Sequence, residues 1–305
     1  MLGVGLIGGS IGLAARRRTG AHVVGYDSEA SALSTAVELG AIDEPAFEIS
    51  SAVSNADVVF VATPVGVATQ SARQALDAAG AQCVVSDVGS TKRAIAGAIS
   101  DSRFVGGHPL AGAETAGVEN ARKDLFEGAT WYLTPVAGAE WSAAGASSPA
   151  DASPPPPVDA APWAVERLRG LIERIGARPV AIGPDAHDRL MASVSHLPHV
   201  LANVLVARAL GAVESGGTTA GDGALGAGPS FRDATRVAGA NTAIWTDIYM
   251  SNGDLLADAL EETIGELKTV RDALQAGDAQ VLAAWNEQAH SERERLQRAG
   301  LLAGP

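Results

Sequence analysis

A glycine run, Gly3-Val4-Gly5-Leu6-Ile7-Gly8, opens at the third residue, and few short patterns restrict a backbone more. In a GxGxxG turn between strand and helix, the first glycine permits the tight turn. The second lets a pyrophosphate approach the main chain, and the third lets the helix pack closely. The following residues meet this requirement: 10–19 read as a helix, and the β-branched run 22–26 reads as a strand ending at Asp27. Asp27 is placed to accept hydrogen bonds from adenosine ribose hydroxyls. Ser28 and Glu29 bring no cation for a 2′-phosphate, so the pattern favours NAD over NADP. A glycine-rich turn holding some other ligand is the alternative reading.

The same opening poses a difficulty. Only Met1 and Leu2 precede the turn, yet a Rossmann-type sheet needs a strand there, in its middle. Without it the neighbouring strands would keep unpaired backbone groups in the core. The expectation is a natural product that starts upstream of Met1; the alternative is a rearranged sheet edge and weakened cofactor binding.

Residues 3 to about 135 alternate short β-branched runs with alanine-rich helical stretches, the pattern of βαβ units on a parallel sheet. Strands are expected at 22–26, 58–62, 83–87, 104–106 and 130–134. Their carboxyl ends carry Asp27, Thr63-Pro64 and the segment 87–90, where open α/β sheets bind ligands. The expected cofactor contacts are therefore Gly3, Gly5, Leu6, Ile7, Gly8, Asp27, Thr63, Pro64 and Asp87.

Residues 138–162, rich in Gly, Ala and Ser and carrying four prolines from Pro154 to Pro157, read as a surface excursion or linker. Beyond it the periodicity turns helical, at 163–175, 188–210, 231–238, 242–251, 253–276 and 278–299. The almost wholly apolar stretch 188–210 is expected as a core helix covered on all sides, partly by a second subunit, and bent at Pro198. The fold class is thus an α/β Rossmann-type parallel-sheet domain followed by an all-α domain. The expected boundaries are 1–137 for the dinucleotide domain, 138–162 for the excursion and 163–305 for a helical substrate and dimerisation domain.

A formal charge of −13 over 305 residues leaves no general basic field for nucleic-acid phosphates or an anionic membrane, so neither is expected as a partner. Arginines focused in a cleft still allow an anionic small substrate. Cys83 is the single cysteine, which excludes an internal disulfide and fits the cytoplasm. The uncharged run 190–207 contains His196, Pro198, His199 and Asn203, and reads as a buried helix better than a membrane span.

Four further motifs, in order, point to a family. Asp87-Val88-Gly89-Ser90-Thr91-Lys92 follows the third strand, and Gly106-Gly107-His108-Pro109-Leu110-Ala111-Gly112-Ala113-Glu114 follows the fourth. Ser195-His196-Leu197-Pro198-His199 and Phe231-Arg232-Asp233-Ala234-Thr235-Arg236-Val237-Ala238 lie in the helical part. With these the chain resembles the prephenate dehydrogenases of tyrosine biosynthesis, a group that includes arogenate and cyclohexadienyl dehydrogenases. The resemblance implies a homodimer paired through the helical domain and oxidative decarboxylation of prephenate or arogenate.

It also implies roles for residues. His108 matches the catalytic histidine, and a neutral imidazole can accept the ring hydroxyl's proton as hydride leaves. Ser90 matches a serine that orients that hydroxyl or the histidine; capping a following helix is its structural alternative. Arg236 matches an arginine that clamps a substrate carboxylate. His187 and His199 match positions lining or gating the site, Glu114 an acid at its entrance, and Trp245 a tryptophan near the pocket. No metal is expected, since His196 and His199 lack a third ligand nearby.

Two other classes compete. A β-hydroxyacid dehydrogenase would place a catalytic lysine in the first interdomain helix, and no lysine occurs between Lys123 and Lys268. A non-catalytic NAD-binding protein would have no need of His108, Ser90 and Arg236 together.

Overall fold

The computed structural model describes residues 1–112, 115–135, 159–215 and 227–300. The chain divides into two compact units, 1–253 and 254–305. The first begins with α1 (Leu6–Thr19), β1 (Val24–Tyr26), α2 (Ala30–Glu38), β2 (Glu44–Ala46), α3 (Ile49–Val53), β3 (Val58–Val61), α4 (Val65–Ala78) and β4 (Val84–Asp87). It continues with α5 (Arg93–Ala98), β5 (Gly106–Pro109), β6 (Thr130–Thr134), α6 (Pro162–Arg174) and β7 (Arg178–Ala181). Then come α7 (Pro184–Met191), α8 (Leu197–Ser215), α9 (Pro229–Thr235) and α10 (Thr242–Ser251).

Strand β1 pairs in parallel with β2, and β3 with β4. Leu2 joins the two pairs, bridging Tyr26 on one side and Val61 on the other. The Leu2 N–H donates to the Phe60 carbonyl at 2.8 Å, the Ala62 N–H to the Leu2 carbonyl at 2.6 Å, and the Tyr26 N–H to the Met1 carbonyl at 2.8 Å. Met1 to Gly3 thus sit where the central strand was expected, and they satisfy the backbone next to the glycine turn.

Two apolar clusters cover the sheet. One packs Ile11 of α1 and Leu168 and Ile172 of α6 with Phe60, Phe126 and Trp131; the other packs Ala68, Ala72 and Leu76 of α4 with Val59 and Val85. Each large side chain withdrawn in this way contributes about 1.5–3 kcal/mol.

The expected parallel pairing holds for β1–β2 and β3–β4, and one further pair departs from it. Strands β5 and β6 pair antiparallel, since the described residues between them form only the 3₁₀ turn Val118–Asn120 and no crossover helix, while β6 pairs with β7 in parallel. The long apolar stretch is interrupted just before Pro198, where a break in its hydrogen bonding was expected. Between α7 and α8 the residues Ala192–His196 form a π-helical turn, in which the Leu197 N–H reaches the Ala192 carbonyl. Pro198 can donate no hydrogen bond, so the wider turn is where the ladder loosens. Past Ala202, helix α8 is not covered on all sides: Val204, Leu205, Val206 and Leu210 are exposed. The run Pro184–Ala212 is long and apolar enough to cross a membrane by length and composition. It nevertheless carries His187, Asp188, His196 and His199, all buried in the protein.

The second unit contains the body of α11 (Gly253–Ala276) and α12 (Ala279–Arg298). Gly277 turns the chain with φ +67°, and the Asp278 carboxylate caps α12 by accepting from Gln280 and Val281 N–H at 3.1 Å. Most of the excursion expected at 138–162 lies outside the described residues.

Candidate active site

The glycine turn is built around steric limits. Gly3 has φ +86°, and a Cβ there would lie 2.6 Å from the Ala62 carbonyl oxygen; a Cβ on Gly8 would collide with the Gly3 carbonyl. Gly5, by contrast, faces open space, and it precedes α1 with no side chain capping the helix and no acid in its first turn. The amides of Leu6 and Ile7 therefore begin a helix end suited to an anion. Asp27 follows β1 and accepts from the Val4 N–H at 2.8 Å and the Glu29 N–H at 3.0 Å. Each of its oxygens keeps a lone pair for a ribose hydroxyl. Pro64 caps the start of α4, and beside it the buried Thr63 hydroxyl has no hydrogen-bond partner among the described residues. An open glycine, uncapped amides, an anchored carboxylate and an orphaned hydroxyl fit a dinucleotide.

Asp87, expected as a cofactor contact, is also tied into the protein at the end of β4. Its carboxylate is buried and accepts from Gly89 N–H at 2.8 Å, Gly107 N–H at 3.1 Å and the fully buried Lys92 ammonium. Gly107 allows this approach, since a Cβ there would lie 2.6 Å from the Asp87 carbonyl oxygen. The contact draws β5 against β4 and sets His108 beside the Asp87–Lys92 pair. Next to Asp87 and Gly89 lies a cleft of about 390 Å³, lined also by Gly66, Thr91, Asp247 and Ser251.

His108 is nearly closed off from solvent, and its Nδ1 lies 2.9 Å from Nε2 of the buried His187. Nδ1 of His187 lies 2.7 Å from Asp188 Oδ1. That carboxylate also accepts the N–H groups of Lys92 and Arg93 at 2.7 and 2.9 Å, which fixes the start of α5. Burial, reinforced by His187, Lys92 and His196, holds the His108 pKa well below the usual 6.5. Burial also lowers His187, against the pull of Asp188. For Asp188, burial is outweighed by the hydrogen bonds from His187, Arg93 and Lys92, and the carboxyl lies below its ordinary range.

A second group stands on α8 and α10. The His199 ring stacks on Trp245 with centroids 3.6 Å apart and planes 6° from parallel, and its Nδ1 is hydrogen-bonded to the Tyr249 hydroxyl. His196, one turn earlier, presents its edge to Trp245 and meets Asn252 at 3.2 Å; burial lowers its pKa to about 4. Arg236 begins the 3₁₀ turn Arg236–Gly239, which packs against α8. Ser90 lies in the loop after β4; α5 starts only at Arg93, so the helix-cap alternative for Ser90 drops away. Glu114 lies outside the described residues. Among the described residues no three His, Cys, Asp or Glu side chains are grouped to hold a metal ion.

Asp188, Lys92 and Tyr249 were not singled out in the sequence. Lys92 closes the Asp87–Lys92 motif and Asp188 adjoins His187, so position alone gave a signal for both.

Comparisons place this geometry among known proteins. The family described as "Prephenate dehydrogenase, nucleotide-binding domain" matches residues 11–144, and "Prephenate dehydrogenase, dimerization domain" matches 183–288. A prephenate dehydrogenase of Bacillus subtilis is 33% identical over 304 residues, covering 97% of this chain and 75% of its own. A cyclohexadienyl dehydrogenase of Zymomonas mobilis is 30% identical, covering 92% of this chain and 90% of its own. The crystal structure of prephenate dehydrogenase from A. aeolicus in complex with hydroxyphenyl propionate and NAD+ superposes with a TM-score of 0.80 at 26% identity, over 97% of this chain and 96% of that one. A Synechocystis arogenate dehydrogenase structure gives 0.74 at 26% identity, over 96% and 98%.

Proposed function

The chain belongs to the prephenate dehydrogenase family, and on that premise we propose that it oxidises and decarboxylates prephenate to 4-hydroxyphenylpyruvate, with NAD as acceptor, in tyrosine biosynthesis. The observation that carries this reading is the buried His108 on β5, hydrogen-bonded to His187, with burial holding its pKa well below the ordinary value.

Prephenate carries a hydroxyl at ring C4 and a carboxylate at C1. NAD, when bound, would supply the acceptor for the hydride that leaves C4. His108 takes the hydroxyl proton as the oxygen becomes a carbonyl. The C1 carboxylate then leaves as carbon dioxide, its bonding pair enters the ring, and the phenolic oxygen recovers a proton. Ser90 orients the hydroxyl or the histidine, and Arg236 holds a substrate carboxylate. His199, stacked on Trp245 and bound to Tyr249, gives the site a rigid aromatic wall, with His187 behind His108. Gly3, Gly5, Leu6, Ile7 and Gly8 would hold the pyrophosphate, Asp27 the adenosine ribose, and Thr63 and Pro64 would border the cofactor.

Arogenate, with an amino group in place of the side-chain keto group, is the second substrate to weigh, because the Synechocystis enzyme of similar fold is an arogenate dehydrogenase. We assign the chain to a homodimer: α8 leaves Val204, Leu205, Val206 and Leu210 exposed, and the matching family domain is a dimerization domain. The buried polar groups of Pro184–Ala212 support a helix seated in protein over one in lipid, and the lone buried Cys83 suits the cytoplasm. Initial rates of NADH formation, measured with prephenate or arogenate and with NAD or NADP, test the assignment. Prephenate with NAD should be the fastest pair, and a rate no greater than the enzyme-free blank with both substrates would refute it.

A further inference from the structure

Beyond the acceptor role of His108, on which it rests, the geometry points to His187 and Asp188 as positioning residues that fix which nitrogen of His108 is free to take the proton. The inference follows from counting hydrogens. The Asp188 carboxylate already receives two backbone N–H groups, Lys92 at 2.7 Å and Arg93 at 2.9 Å. An ionised carboxylate has no hydrogen to give. The contact of 2.7 Å between its Oδ1 and His187 Nδ1 therefore requires the hydrogen on Nδ1. A neutral imidazole has one such hydrogen, so His187 Nε2 presents a lone pair. His108 Nδ1, at 2.9 Å, must then be the donor. The lone pair of His108 is left on Nε2, the nitrogen turned from His187 and able to receive the substrate's proton.

The surroundings hold the chain of contacts in place. Asn252 donates to the Asp188 carbonyl at 2.8 Å, and Tyr132 meets the His187 ring edge-on with centroids 5.6 Å apart. His187 and Asp188 are both fully buried, so water does not compete for their bonds. When His108 gains a proton on Nε2, its Nδ1–H still faces His187 and the His187 Nδ1–H still faces Asp188. The imidazolium thus forms against a preset carboxylate without any group having to turn.

The test is nitrogen NMR on the full chain with labelled histidine, joined to kinetics of Asp188→Asn and His187→Phe. The wild-type protein at neutral pH should show His108 protonated on Nδ1. Both variants should lose that signature and show kcat lower by about 10²-fold, with KM for prephenate and affinity for NADH held within about twofold. If Asp188→Asn does not fold, the wild-type spectrum and His187→Phe still decide. His108 protonated on Nε2 in the wild type, or a folded variant with kcat within about threefold of wild type, overturns the inference. His108→Asn separates the two levels: full activity there removes the acceptor role itself, whereas loss there with active His187 and Asp188 variants removes only the positioning role.

Discussion

The Lys92 ammonium and the Asp87 carboxylate form an ion pair with both side chains shut off from solvent, at the point where β4 meets β5. The pair is embedded: Asp87 also accepts from Gly89 and Gly107, and the Lys92 N–H is bound to Asp188. One ion pair thus joins the loop that carries Ser90, the strand that carries His108 and the helix that carries His187.

Removing one partner leaves the other charge buried and uncompensated, at a cost of about 3–5 kcal/mol. Lys92→Met should therefore lower unfolding free energy by about that amount in urea titrations. A loss under about 1 kcal/mol would mean the pair is better solvated than its burial indicates.

Acid should weaken the fold well before the carboxylates titrate. The folded-state pKa of His196 is about 4 against an ordinary 6.5, so between those values the unfolded chain binds more protons and stability rises with pH. The contribution is complete above about pH 6.5 and is lost as pH falls toward about 4. His196 alone accounts for about 2 kcal/mol between pH 7 and pH 5, and His108 and His187, also lowered, act in the same direction. Urea midpoints at the two pH values measure this; equal stability would contradict the neutral buried histidines.

Arg236→Gln should act on capture of the anionic substrate. Loss of a charge-assisted bond worth about 1.5–3 kcal/mol predicts a KM raised roughly 10- to 100-fold, with a smaller change in kcat. A variant with unchanged KM would place the carboxylate elsewhere.

Gly8→Ala puts a methyl group against the Gly3 carbonyl at the tightest point of the turn. NADH affinity, read by fluorescence titration, should fall by at least about tenfold, because the turn must open to admit the Cβ. Affinity equal to wild type would show that the turn has slack.

How much of this was legible in the sequence depended on how local the cause is. The glycine turn, Asp27, β6 at Thr130–Thr134, α10 at Thr242–Ser251 and α11 at Gly253–Ala276 follow from spacing and turn residues, and all stand where expected. Strand β7 escaped notice because Arg178–Ala181 contains a proline and an alternating half-exposed pattern, and it gains its identity only by pairing with β6. The antiparallel β5–β6 register escaped for the same reason. His108 and Arg236 were visible as motif residues. The hydrogen-bond chain behind His108 was not, since it unites residues from β5 and α7 that lie 79 positions apart. Asp87 was legible as a residue at a strand end, but its pairing with Lys92 was not, because the partner is fixed only by the fold.

The decisive measurement is the rate of NADH formation from prephenate by His108→Asn beside the wild-type chain, at saturating NAD. If His108 takes the hydroxyl proton, the variant should bind NADH normally while kcat falls by roughly 10²- to 10⁴-fold. A folded variant that turns over prephenate at the wild-type rate would contradict the account.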